Sequence, residues 1–86
     1  MWYVYVLQSL KNERLYTGLT NNLKRKFEEH NKKIGGKYTR ENGPFKLIFY
    51  EAFLNKKDAE KHELFLKSGY GREVLKKKIG NYLTNK

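Results

Sequence analysis

The chain contains no cysteine, which excludes disulfide staples and zinc–thiolate sites and leaves the apolar core to hold the fold, as suits a reducing cytosol. It also lacks any apolar run approaching the roughly 20 residues that cross a bilayer, so no membrane partner is expected. The opening MWYVYVLQS has neither the cationic n-region nor the small-residue cleavage site of a secretory signal, and a cytoplasmic location follows as the expectation. Proline occurs once, at Pro44. Acidic residues are scarce, 9 Asp and Glu against 19 Lys and Arg, for a formal charge of +10. That field concentrates polyanions and makes nucleic acid the leading partner. A high lysine content also serves solubility, so charge alone does not assign a function.

What is present is 38% hydrophobic and 15% aromatic residues in a chain of 86. That is too apolar for disorder, and a single domain spanning residues 1–86 is expected, burying about 60 to 65 per cent of its unfolded surface. Trp2, Val4 and Val6 alternate with Tyr3, Tyr5 and Leu7, so both faces are apolar and the segment reads as a strand covered on both sides. Ser9 to Arg14 reads as a turn, and Leu15 to Gly18 as the second strand of a hairpin.

Asn21 or Asn22 can cap the helix that follows by accepting a hydrogen bond from a first-turn N–H. At about 100° per residue, Leu23, Phe27 and His30 share one face with Lys26 at its edge, and Arg25 points elsewhere. Lys24 and Glu28 stand four apart as an opposite-charge pair. Lys32 to Pro44 reads as a mobile basic connection containing Tyr38 and Arg40. In Phe45 to Phe53, strict alternation puts Phe45, Leu47, Phe49, Glu51 and Phe53 on one side. A helix capped by Asn55 runs to about Ser68, with Ala59, Leu66 and Tyr70 in one stripe and Glu63 beside it. A last helix starts near Arg72. The pattern predicts an α+β domain with a small three-stranded, mostly antiparallel sheet flanked by about three helices.

Familiar catalytic constellations are missing: no glycine-rich phosphate loop follows a strand, no serine stands in a nucleophile elbow, and His30 and His62 stand far apart without cysteine. What remains is a set of tyrosines, cations, one histidine on an apolar helix face and one carboxylate beside a packed stripe.

These residues carry a resemblance. YVYVL (Tyr3 to Leu7) and YTG (Tyr16 to Gly18), roughly ten residues apart, with TNNLKRKFEEHN and DAEKHELFLKSGYGRE further on, resemble the GIY-YIG nuclease superfamily. The likeness is to its short stand-alone bacterial members, which are similar to the nuclease domain of the excision-repair subunit UvrC. The resemblance implies the GIY-YIG fold and hydrolysis of nucleic-acid phosphodiesters, DNA above all, with one divalent Mg²⁺ or Mn²⁺ ion and low intrinsic sequence specificity. It makes Tyr16 the general base or its helper, Tyr5 a positioning phenol, His30 a supporting hydrogen-bond partner and Glu63 the metal ligand. Gly18 would let the phosphate approach the backbone, and Arg25, Tyr38, Arg40 and Arg72 would contact nucleic acid. A phenol with a pKa of about 10 is a poor base unless cations or the metal favour phenolate, which gives the basic helix a purpose.

One departure bears on activity. The family's catalytic arginine falls ten residues after Tyr16, on Lys26, and lysine is a flexible point charge where arginine offers a planar fork to two phosphate oxygens. Lys26 can substitute at reduced rate, Arg25 can reach round from another helix face, or the protein binds without cutting. No obligatory protein partner is indicated, and a monomer or weak dimer is expected. Catalysis requires Tyr16, Lys26 and Glu63 to converge on one cleft.

Overall fold

The computed structural model of the chain describes residues 1–32 and 41–84. Among them β1 (Trp2–Ser9), β2 (Leu15–Thr20) and β3 (Phe45–Phe53) form one antiparallel sheet in the order β2-β1-β3. The doubly apolar strand is the central one: Val4 and Val6 are fully buried on one face, and Tyr5 and Leu7 are buried on the other. The connection between β1 and β2 is organised by the buried Ser9 hydroxyl, which accepts from the N–H groups of Lys11 and Asn12 and donates to the Asn42 carbonyl at 2.6 Å.

Helix α1 (Leu23–Asn31) covers the Tyr5 and Leu7 face through Leu23 and Phe27. Of the two candidate caps it is Asn22 that serves, its side chain accepting from the Arg25 N–H at 3.0 Å. At the other end the Asn31 amide both donates to and accepts from the Phe45 backbone. This ties the end of α1 to the start of β3 as a ladder pair would. The opposite face is covered by α2 (Lys56–Lys67) and α3 (Gly69–Lys78), whose Ala59, Leu66 and Leu75 pack on Val4 and Val6. A short α4 (Gly80–Thr84) follows, and its Tyr82 hydroxyl donates to Gln8 Oε1 at 2.7 Å. Where α2 crosses β3, His62 Nε2 and Glu51 Oε1 stand 2.7 Å apart.

Four differences from the sequence pattern have local causes. Val6 pairs with Phe49 but Leu7 with Leu47, so Ile48 is an extra residue in β3. Such a bulge resets the alternation: Phe45 and Leu47 face α1, whereas Ile48, Phe49 and Phe53 face α2 and α3. The helix expected near Arg72 begins at Gly69 because the Ser68 side chain caps it, accepting from the Gly71 N–H at 3.0 Å. That break at Ser68 resets the helical phase and leaves Tyr70 exposed, off the Ala59 and Leu66 stripe. With α4 separate, the described helices number four rather than about three. The Lys32 to Pro44 connection lies mostly outside the described residues. Among those residues no helix is long and apolar enough to cross a membrane.

Candidate active site

Antiparallel pairing sets Tyr5 opposite Gly18, and the Tyr5 ring lies across that glycine: a Cβ there would sit 2.2 Å from the phenol oxygen and 2.4 Å from Cζ. The space a side chain would fill on β2 is thus taken by the Tyr5 ring. His30 closes the cluster from α1, 2% exposed, with Nε2 3.0 Å from the Tyr5 hydroxyl. The Tyr16 ring stands edge-on to His30 at 5.2 Å between centroids and tilts against Phe45 at 6.5 Å.

Burial, and then the charges of Tyr16, Glu63 and Glu29, push the Tyr5 phenol far above its ordinary pKa. Tyr5 is therefore a neutral hydrogen-bonding group and not a base at any physiological pH. Burial and the nearby Lys26 ammonium lower the His30 pKa, with Glu29 opposing. His30 is accordingly a neutral imidazole. Its Nδ1 has no hydrogen-bond partner among the described residues.

A stability prediction follows from the direction of that shift. In the unfolded chain the imidazole takes up a proton near pH 6.5, whereas folded His30 resists protonation to lower pH. Between those two values the unfolded state holds more protons, so this contribution to stability is full above about pH 6.5 and declines as pH falls. Urea denaturation should give a lower midpoint at pH 5 than at pH 7.5, and His30→Gln should narrow that gap. An unchanged gap in His30→Gln would assign the pH dependence to other groups.

Lys26 stands half-buried beside this cluster, 3.7 Å from Glu29 Oε1, while the more exposed Arg25 reaches Glu29 Oε2 at 3.6 Å from its outer side. The expected Lys24–Glu28 pair is not among the ion pairs of the described residues; Glu29 is the carboxylate the α1 cations share. Sequence reading missed Glu29, although its spacing of three and four from Lys26 and Arg25 was the available signal.

Glu63 comes from the other side. Its helix α2 packs on the Val4 and Val6 face, opposite α1, and Glu63 Oε2 lies 3.2 Å from Lys67 Nζ. Its charge is one of those that raise the Tyr5 pKa. The helix that carries Glu63 packs on β2 as well as on β1, and the Tyr5 ring overlies Gly18 of β2. The structure thus brings Tyr5, Tyr16 and His30 into contact and sets Lys26 beside His30, while Glu63 stands on the helix of the opposite face, its charge acting on the Tyr5 phenol. Arg72 lies apart from this cluster, on α3 in a recess that Tyr16 also lines. Tyr38 and Arg40 lie outside the described residues.

Comparison with known proteins places the chain in a family. Residues 1–78 match the GIY-YIG catalytic domain. A UPF0213 protein of Clostridium perfringens is 49% identical over 67 residues, covering 78% of this chain and 71% of its own. A UPF0213 protein of Pediococcus pentosaceus is 42% identical over 86 residues, covering 98% and 90%. The solution NMR structure of the UPF0213 protein BH0048 from Bacillus halodurans is 37% identical, with a TM-score of 0.57 over 95% of this chain and 90% of that one. A match spanning nearly the whole sequence establishes that the chain belongs to the GIY-YIG family.

Proposed function

We propose that this protein is a metal-dependent endonuclease acting on nucleic acid, DNA foremost, with low intrinsic sequence specificity. The observation that carries the reading is the buried Tyr5–His30 hydrogen bond inside a cluster that also holds Tyr16 and feels the charges of Lys26 and Glu63. Phosphodiester hydrolysis needs a base for water, positive charge for the pentavalent phosphorane and a stabilised leaving oxygen. Tyr16 takes the proton from water. Tyr5, kept neutral, holds its hydrogen bond to His30 and orients the attacking side. Lys26 places an ammonium against the phosphate oxygens. The family's Mg²⁺ or Mn²⁺ fits this chain only as an ion held by Glu63 with waters and phosphate oxygens. That is an acceptable set for a hard cation, and no cluster of three or more metal-binding side chains occurs among the described residues. Bound there, such an ion supplies charge to the phosphorane and leaving oxygen.

The test is nicking of supercoiled DNA in Mn²⁺ by purified protein. Glu63→Ala should lower the rate at least about 100-fold, on the order of the loss of one electrostatic stabiliser. Tyr16→Phe should do the same, and Lys26→Arg should raise the rate by restoring a planar fork. Cleavage that survives Glu63→Ala defeats the proposal. A second reading, a nucleic-acid-binding module with weakened or absent catalysis, is favoured by the lysine at position 26. It is identified by salt-dependent binding without cleavage in any metal.

A further inference from the structure

The β2 side of the sheet holds a second feature, which shares only Tyr16 with the reaction cluster. Between β2 and helices α2 and α3 lies a recess of about 590 Å³, within the size range of sites for small organic groups. Four cations line it: Arg14 from the β1–β2 connection, Lys67 from the end of α2, and Arg72 and Lys76 one turn apart on α3. Lys67 and Lys76 have carboxylate neighbours in Glu63 and Glu73, but the guanidinium groups of Arg14 and Arg72 have no carboxylate partner among the described residues. Four like charges around one hollow repel one another, and an anion there relieves the repulsion. The lining also includes the buried Leu66 and Leu75, so a cationic rim surrounds an apolar floor. Tyr16 belongs to both places, lining the recess and touching His30.

We infer that this recess binds an unpaired nucleotide strand next to the reaction centre, phosphates on the arginine and lysine rim and a sugar or base on the apolar floor. Duplex DNA keeps its bases stacked inside and offers an outer surface of phosphates, for which a hollow with an apolar floor has no use. A single strand presents both chemistries at once. The position beside the scissile phosphate rests on the nuclease proposal, while the binding itself does not. The consequence for that reading is a preference for flapped, gapped or branched substrates over intact duplex.

The experiment is fluorescence anisotropy with the full chain in EDTA, using a labelled oligothymidylate and a labelled duplex of equal length. The variants are Arg72→Glu/Lys76→Glu in the recess and Lys57→Glu/Lys61→Glu, exposed on α2 outside it, which change the net charge equally. The expected result is tighter binding of the single strand, an affinity loss of about tenfold or more in the recess variant alone, and a salt dependence shallower by about 1.4 log units per log unit of salt for two lost contacts. Arg72→Ala/Lys76→Ala, with circular dichroism as a check on folding, should show the same trend at smaller size. Equal losses in the two charge-matched variants, no loss in the recess variant, or duplex binding as tight and as sensitive as single-strand binding would each overturn the inference. Failure of the nuclease reading appears separately, as absent or Glu63-independent nicking, and leaves these binding results interpretable.

Discussion

Gly18→Ala should abolish nicking and destabilise the fold by about 3 kcal/mol. The new methyl would lie 2.2 Å from the Tyr5 oxygen and 2.4 Å from Cζ, well inside contact distance. An exposed tyrosine could swing away at little cost. Tyr5 is 2% exposed, sits between α1 and the sheet, and is hydrogen-bonded to His30. Displacing its ring strains a packed core, at about 1–3 kcal/mol, and leaves the phenol and His30 Nε2 without each other, at about 1–3 kcal/mol for a buried unsatisfied group. On the proposed nuclease function the reaction cluster is built on that hydrogen bond, so nicking should fall with it. A double-mutant cycle isolates the cause. In a Tyr5→Val background, where the ring is gone, Gly18→Ala should cost under about 1 kcal/mol, and an undiminished cost there would show that Gly18 matters for another reason.

Gly71→Ala should have an effect of similar size on stability. A Cβ at Gly71 would lie 1.7 Å from the Phe65 carbonyl oxygen and 2.6 Å from its carbon, both backbone atoms of α2. No side-chain rotation relieves that contact. The same carbonyl accepts the Ser68 N–H and hydroxyl, and the Ser68 side chain accepts from the Gly71 N–H, so the junction of α2 and α3 is a closed set of hydrogen bonds around one point. Opening it separates Leu66 from Leu75 in the core. The expected cost is about 3 kcal/mol or more, a large share of the roughly 5–15 kcal/mol that holds small domains folded. Thermal unfolding followed by circular dichroism should show a midpoint lower by on the order of 15 °C. A midpoint within about 3 °C of wild type would mean that the helix junction adjusts freely.

Much of this protein was legible from its residue order. Apolar side chains at every position from Trp2 to Leu7 require cover on both faces, and the helices of the two sides supply it; that the strand is also the central one of the sheet came only with the structure. Asn55 and Asp58 announce the start of α2, and the spacing of Leu23, Phe27 and His30 fixes the buried face of α1, because capping and helical periodicity are local properties. The bulge at Ile48 was not legible, since a strand shows its own alternation but not the register of its neighbour. The end of α2 at about Ser68 was legible, but the start of α3 at Gly69 rather than near Arg72 was not, because a serine that ends one helix becomes the cap of the next only once the chain has turned there.

The candidate site divides in the same way. Residue identities along the chain determined the motif tyrosines, the cationic first turns of α1, the presence of His30 and Glu63, and the lysine where the family has arginine. Tertiary structure alone decided that the Tyr5 ring fills the space over Gly18 and bonds His30, that Glu63 approaches from the opposite face, and that Arg14 and Arg72 share a recess beside Tyr16. Local order encodes propensity and periodicity. Which distant side chains meet depends on sheet register and on the sides to which the helices return, and those are set by packing the whole chain at once.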